Sequence, residues 1–294
     1  MKAPRFEYSR ALQLDDALSA LNDAQATAKV MGGSQSLGPM LNLRLARPEK
    51  IVDVSSLPEL RKVERRGDRL RVGAAVTHAE IEDGLHSLLR GHPMQAVAGR
   101  IAYRAVRNRG TLGGSLAHAD PAADWVVVCA GLGAQLEIAG ASGIRSETVQ
   151  GFMAGAYTTS LADGEIIVAV DVPVCQPSSR FGYYKFCRKT GEFAEASCVA
   201  WFDPHSRTAR IVLGAIDVTP RSMPTLALAC ATQGAKAASV DAIREAVALA
   251  IPEKDPVDRR LYETAVTRCL AQALTGQGVT HEQASQGGAS EARS

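Results

Sequence analysis

The amino-acid sequence predicts a mixed α and β fold in more than one domain, and three observations carry that reading. Short strand signals, several joined by hairpin-type turns, are interspersed with amphipathic helix signals along most of the chain. A stretch at residues 173–179, with Pro173, Pro177 and two serines, reads as a linker between domains. At 294 residues the chain is long enough for two domains and a large buried core.

The elements follow in order. Residues 15–22 predict a short amphipathic helix with Asp15 and Asp16 in its first turn, where acids suit the helix dipole. Ala26 to Met31 reads as a strand, Pro39 to Leu45 as a single helical turn, and Ile51 to Val54 as a buried strand. Strands are expected at Leu60–Glu64 and Leu70–Val72 around the Arg66-Gly67-Asp68 turn. Thr77 and Glu80 fit a capping box that opens a helix. A second helix is expected from Met94 to Arg107, ending in basic residues, and a third from Pro121 to about Ala130 with Asp120 as its N-cap. Residues 134–139 and 144 onward read as a hairpin, and Glu165 to Val172 as the clearest strand. Beyond the linker come strands at Arg180–Phe186, Ala196–Phe202 and Ala209–Ala215 and helices at 240–250 and 257–274. In the last helix, Val257, Leu261, Ala265 and Cys269 share one face.

Composition excludes several classes. Hydrophobic residues at 46% and charged residues at 22% are ordinary for a soluble globular protein. A formal charge of +2 gives no electrostatic basis for binding nucleic acid or an anionic membrane. The first ten residues lack a signal-peptide pattern and no apolar run approaches the ~18 residues of a membrane span, so a cytoplasmic location is expected. Six cysteines without a C-x-x-C pair argue against a zinc ribbon or a cysteine-ligated cluster, and predict buried free thiols. His78 and His118 have no second ligand at a useful spacing, so no metal site is expected.

Two glycine-rich stretches carry the chemistry: Met31-Gly32-Gly33-Ser34-Gln35-Ser36-Leu37-Gly38 and Gly110-Thr111-Leu112-Gly113-Gly114-Ser115-Leu116-Ala117. Adjacent glycines with small hydroxyl residues let a backbone turn its N–H groups toward an anion. Neither is a Rossmann fingerprint, because the glycine spacing is wrong and Pro39 follows the first; neither is a Walker loop, because no lysine follows. Gly113-Gly114-Ser115-Leu116-Ala117 lacks the last glycine of a nucleophile elbow, and no clear base and orienting acid accompany it. Taken singly, each stretch also reads as a tight turn.

Met31 to Leu60 (MGGSQSLGPMLNLRLARPEKIVDVSSLPEL) and Asn108 to Trp125 (NRGTLGGSLAHADPAADW) together resemble the medium, FAD-binding subunit of the molybdenum hydroxylases, the group of xanthine dehydrogenase and aerobic carbon monoxide dehydrogenase. Tyr183 to Ala196 (YYKFCRKTGEFAEA) and the final helix from Asp258 are similar to the same family. The resemblance implies an α+β protein with an FAD-binding fold like that of vanillyl-alcohol oxidase. Two α+β subdomains, residues 1–57 and 58–175, would surround the cofactor, followed by a smaller C-terminal α+β domain at 180–275; residues 276–294 are expected to be a disordered tail. It implies partners: a small subunit with [2Fe–2S] clusters and a large subunit with the molybdopterin cofactor and the substrate site. The chain would pass electrons from the clusters through FAD to an external acceptor.

The family also implies the site residues. Met31, Gly32, Gly33, Ser34, Gln35, Ser36 and Leu37 would line the FAD pyrophosphate on one side, and Thr111, Gly113, Gly114 and Ser115 on the other, through backbone N–H groups. His118, Asp120 and Asp124 would approach the cofactor, with Asp120 alternatively a plain helix cap. Leu43 and Leu45 would lie near the adenine side or in the core. Lys185, Arg188 and Lys189 are candidates for a positive group near the flavin, and Tyr184 or Tyr183 for a cover on one flavin face, since strand alternation puts only one there. No residue is assigned a catalytic role. Gln35 and Glu192 depart from the common family residues. A cofactor-free interaction subunit and a stand-alone flavin oxidoreductase of related fold are the alternatives.

Overall fold

The structure, a computed structural model, describes residues 2–23 and 26–275. The expected tail at 276–294 lies outside the described residues. The first unit is β1 (Glu7–Arg10), α1 (Leu14–Leu21), β2 (Ala28–Met31), α2 (Leu37–Asn42) and β3 (Lys50–Asp53). Its three strands are parallel in the order β1-β3-β2, so all three end on the same edge. That edge carries Met31 and Asp53, and the first glycine stretch leaves from it.

Next come β4 (Val63–Arg66), β5 (Arg69–Gly73), α3 (His78–Glu82), α4 (Pro93–Ala98), α5 (Arg104–Arg107), α6 (Leu112–His118), α7 (Asp124–Leu132), β6 (Gln135–Gly140), β7 (Gly143–Thr148), α8 (Val149–Phe152), β8 (Met153–Gly155), β9 (Thr158–Thr159) and β10 (Ile166–Pro173). Five of the strands form an antiparallel sheet in the order β4-β5-β10-β6-β7. One of its faces, with Ile166, Val168 and Ala139, closes a core with Ala17, Val52 and Leu57 of the preceding segment. The other packs Val72, Val170 and Leu136 toward the helices.

The last unit is β11 (Arg180–Phe186), β12 (Ala196–Asp203), β13 (Thr208–Gly214), β14 (Arg221–Ser222), α9 (Pro224–Gln233), α10 (Val240–Ala250) and α11 (Pro256–Leu274). Its antiparallel sheet runs β11-β12-β13-β14, with α9 and α11 on one side. Every residue of α7 is buried, which fits its lack of a polar face, and the helix packs against β10 as well as β12 and β13. It is therefore the common core element of the second and third sheets. Segregated helices and mostly antiparallel sheets make the whole an α+β protein.

Several expected elements differ. The helix from Met94 to Arg107 is two short helices, broken after Gly99, with Ala102 in the left-handed region at φ 43°. Asp120 does not cap a helix directly. Its carboxylate accepts from the Ala122 amide at 2.9 Å in a turn, and the helix begins at Asp124. Leu60 belongs to a 3-10 turn opened by Pro58, and the strand expected there starts at Val63. On α11 the buried seam is Tyr262, Ala265, Val266, Cys269, Leu270 and Ala273, while Val257 is exposed. Helix α9 had no counterpart in the sequence reading. Four of the six cysteines are buried, and Cys175 and Cys187 are half-buried.

Candidate functional site

The first glycine stretch is a true loop. β2 carries Met31 to its end, and the chain then turns through Gly32 and Gly33 against the second stretch. A Cβ on Gly33 would overlap the backbone carbonyl of Arg109, and one on Gly32 would stand 2.9 Å from Thr111 Oγ1. Only glycine permits that approach. Ser34 then takes the left-handed region at φ 63°, and its carbonyl accepts from the Gly38 amide at 3.0 Å. The turn leaves the N–H groups of Gly33, Ser34, Gln35 and Ser36 without a protein acceptor among the described residues. Such a run of free amides is available to an anion. The Gln35 side chain folds back to donate to the Gly33 carbonyl at 3.1 Å.

The second stretch is not a loop, which corrects the sequence reading. Thr111 is an N-cap whose hydroxyl accepts from the Gly114 amide at 3.1 Å, and helix α6 begins at Leu112. The amides of Leu112 and Gly113 donate to the carbonyls of Val76 and Ala74, and that of Ser115 to Thr111. Gly113 is needed because a Cβ there would be 2.5 Å from Ala74 Cβ. Most N–H groups from Thr111 to Ser115 are thus consumed by the fold. What this side offers is the Thr111 amide and the hydroxyls of Thr111 and Ser115, which stand one helical turn apart on the same face.

His118 closes that helix. Its ring lies 5.2 Å from the ring of Tyr157, whose hydroxyl donates to Asp120 at 3.2 Å. Tyr157 and Ala119 both adopt left-handed conformations and are joined by the Tyr157 amide donating to the Ala119 carbonyl at 2.8 Å. Burial, followed by the Asp120 charge, raises the Tyr157 pKa. Sequence reasoning missed Tyr157, which sits in a connection without a motif.

Asp124, at the start of α7, is the centre of a buried network. Lys185 Nζ lies 2.9 Å from its Oδ1, and the Tyr183 hydroxyl donates to the same carboxylate. The side chains of Lys185 and Asp124 are 7% and 5% exposed, so this is a desolvated ion pair. Burial raises the Tyr183 pKa well above the ordinary phenol range, and the Asp124 charge adds to it. Alternation along β11 places Tyr184 on the opposite face, against Arg268 of α11, so the structure does not bring Tyr184 to this group. Arg188 is exposed and paired with Glu195 at 2.7 Å, and Lys189 is exposed, which leaves Lys185 the buried cation of the three. Leu43 and Leu45 are exposed rather than core.

Beside the contact between the two stretches lies a cleft of about 480 Å³, walled in part by Gly33, Thr111, Asn108, Arg109, Asp53 and Arg61. Beneath it, the buried His78 accepts at Nδ1 from the Trp125 indole at 3.0 Å, and its own amide donates to the Gly110 carbonyl. Burial, with the Arg107 charge, pushes the His78 pKa down to about 4, so it is a neutral structural group under the glycine stretch. The free amides, the hydroxyl pair and the Cβ-excluding contact suit a diphosphate held where the two stretches meet. A flavin dinucleotide carries that group, so the residues present fit the cofactor the resemblance implied.

Residues 4–175 match the protein family described as the FAD binding domain in molybdopterin dehydrogenase. The chain is 38% identical over 198 residues to the nicotine 6-hydroxylase medium subunit of Paenarthrobacter nicotinovorans, covering 67% of this chain and 69% of the relative. It is 31% identical over 273 residues to the carbon monoxide dehydrogenase medium chain of Hydrogenophaga pseudoflava, covering 90% and 94%. Among solved structures, a chain of quinoline 2-oxidoreductase from Pseudomonas putida 86 superposes with a TM-score of 0.82 at 30% identity, over 94% of this chain and 99% of that one.

Proposed function

The chain belongs to the family of FAD-binding medium subunits of the molybdenum hydroxylases, and from that premise we propose that it carries electrons through FAD within such a complex. Electrons would arrive from [2Fe–2S] clusters on a small partner subunit, after leaving the substrate at a molybdopterin centre on a large one. They would leave for an external acceptor. FAD, when bound, supplies the exchange between one-electron arrival and two-electron discharge, while the protein sets its position and potential.

The observation that carries this reading is the contact between the two glycine stretches. In the proposal, the amides of Gly33 to Ser36 and the hydroxyls of Thr111 and Ser115 hold the diphosphate. Met31, Gly32 and Leu37 shape the first wall; Gly113 sets α6 close to Ala74 and so places the second, while Gly114 leaves room for the Thr111 hydroxyl that caps the helix. His118, Asp120 and Tyr157 form a polar edge along the same side. Lys185, ion-paired with Asp124, is the positive group offered to the flavin ring, where it would favour the reduced, anionic form. In this reading residues 1–57 and 58–175 are the two subdomains around the cofactor and residues 180–275 a C-terminal domain, in the manner of vanillyl-alcohol oxidase-like flavoproteins. No helix among the described residues is long and apolar enough to cross a membrane, and the proposed complex works in the cytoplasm. Tagging the chain and identifying what co-purifies tests the assignment: the expected polypeptides are one cysteine-rich iron–sulfur subunit and one large molybdopterin subunit. A chain that purifies alone and turns over an organic substrate by itself would refute it.

A further inference from the structure

A second cleft, of about 110 Å³, opens where β5, the carboxyl end of α7 and β13 meet. Two arginines converge on it. Arg69, on β5, directs Nη2 to the carbonyls of Gly133 at 3.1 Å and Asp171 at 2.7 Å, and its Nε is buried with no acceptor. Arg210, on β13, lies directly over Gly133, where a Cβ would stand 2.6 Å from the guanidinium carbon. Arg210 has no hydrogen-bond or ion-pair partner among the described residues. Burial, followed by the charge of Arg69, pushes its pKa down.

Asp68 and Asp203 share the cleft wall and the Asp171 charge acts on Arg69, but no carboxylate among the described residues forms an ion pair with either arginine. The carboxylate of Asp203 is engaged by the Ser206 hydroxyl at 2.7 Å and the His205 amide at 3.0 Å. Asp68 stands exposed. The partial negative charge at the end of α7 favours one cation there, but the Gly133 carbonyl already accepts from Arg69. Arg210, without an ion pair of its own beside Arg69, and the buried Arg69 Nε, without an acceptor, both leave donors that an anion would meet.

We infer that this cleft binds a small oxyanion of the phosphate class between Arg69 and Arg210. Arg210 offers a whole guanidinium fork, and Arg69 the nitrogens that its two carbonyl contacts leave, for the charge-assisted hydrogen bonds such an anion takes up, and the cleft has room for one tetrahedral group. The bound anion ties β13 of the C-terminal sheet to β5 of the preceding sheet. Helix α7 runs from this cleft to Asp124, so the anion clamps the junction on which the Asp124–Lys185 contact depends.

The test uses the full chain and inorganic phosphate, with and without saturating FAD. At about tenfold over the dissociation constant, phosphate raises Tm by about 3 °C relative to chloride at matched ionic strength. Arg210→Gln abolishes that rise, weakens phosphate binding at least tenfold in calorimetry, and leaves the phosphate-free Tm unchanged or higher because a repulsion is removed. Asp68→Asn, which removes an exposed acid, tightens binding by about twofold to fivefold. A phosphate-dependent rise that persists in Arg210→Gln places the anion at the glycine stretches instead and overturns the inference. So does a rise that chloride reproduces, or an Arg210→Gln chain that no longer folds together with an affinity that Asp68→Asn does not increase.

Discussion

Replacing Gly33 with alanine isolates the contact on which the proposed cofactor site depends. The added Cβ meets no flexible side chain. It overlaps the carbonyl of Arg109 and approaches Gly110 Cα at 2.9 Å, so backbone must move on one side or the other. Overpacking of this kind costs about 1–3 kcal/mol. If the strain is relieved by separating the two stretches, FAD affinity falls by the same free energy, about 5- to 150-fold. Two other glycines calibrate the effect. A Cβ on Gly38 meets only the Ser34 hydroxyl at 3.1 Å, and one on Gly155 meets nothing within 4 Å. Titration of each purified variant with FAD, followed by quenching of flavin fluorescence, should therefore rank the losses as large for Gly33→Ala, small for Gly38→Ala and absent for Gly155→Ala. Equal affinity in Gly33→Ala and wild type would refute the claim that the two stretches grip the cofactor together.

Three further outcomes are expected. Asp124→Asn leaves Lys185 buried without its counter-charge and should cost about 3–5 kcal/mol in urea denaturation, whereas pairing it with Lys185→Met should recover much of the loss; additive effects would show that the pair is not coupled. His92 is neutral in the fold, with Nδ1 accepting from the Met94 amide and Nε2 donating to the Pro173 carbonyl, and burial pushes its pKa down to about 4. Because the unfolded chain binds the proton from about pH 6.5, the stabilisation is present above that pH and is lost toward pH 4, about 2 kcal/mol by pH 5, and His92→Gln should flatten that part of the pH profile. Tyr157→Phe removes the hydrogen bond to Asp120 and should lower stability by about 1 kcal/mol, with a larger effect on FAD affinity than the same change at Tyr184; equal effects on affinity would place the polar edge away from the cofactor.

The first glycine stretch was legible because its chemistry is local: Gly-Gly-Ser after a strand must turn, and the turn frees its amides. The second was misread because its helical start is set from elsewhere in the chain, by the carbonyls of Val76 and Ala74, which accept from Leu112 and Gly113. Nothing in residues 110–117 announces those partners. The strands beyond the linker were read closely because their apolar patterns are long, with Arg180–Phe186 matching to the residue. Which of Tyr183 and Tyr184 faces Asp124 depended on the pairing register with β12, where Tyr183 stands opposite Val199, and sequence alternation alone left both possible. Helix α9 escaped notice because its residues carry little amphipathic contrast, and Pro224 at its first turn reads equally as a loop signal. The meeting of Arg69 and Arg210 is purely tertiary, across two sheets.

The most direct measurement of the central claim is the visible spectrum of the chain, purified with its partner subunits or titrated with FAD alone. The account predicts one equivalent of bound flavin with the absorption bands of the oxidised cofactor, and loss of those bands when substrate reduces the assembled complex. Absence of flavin from the complex, together with failure of the chain to take up added FAD, would contradict it.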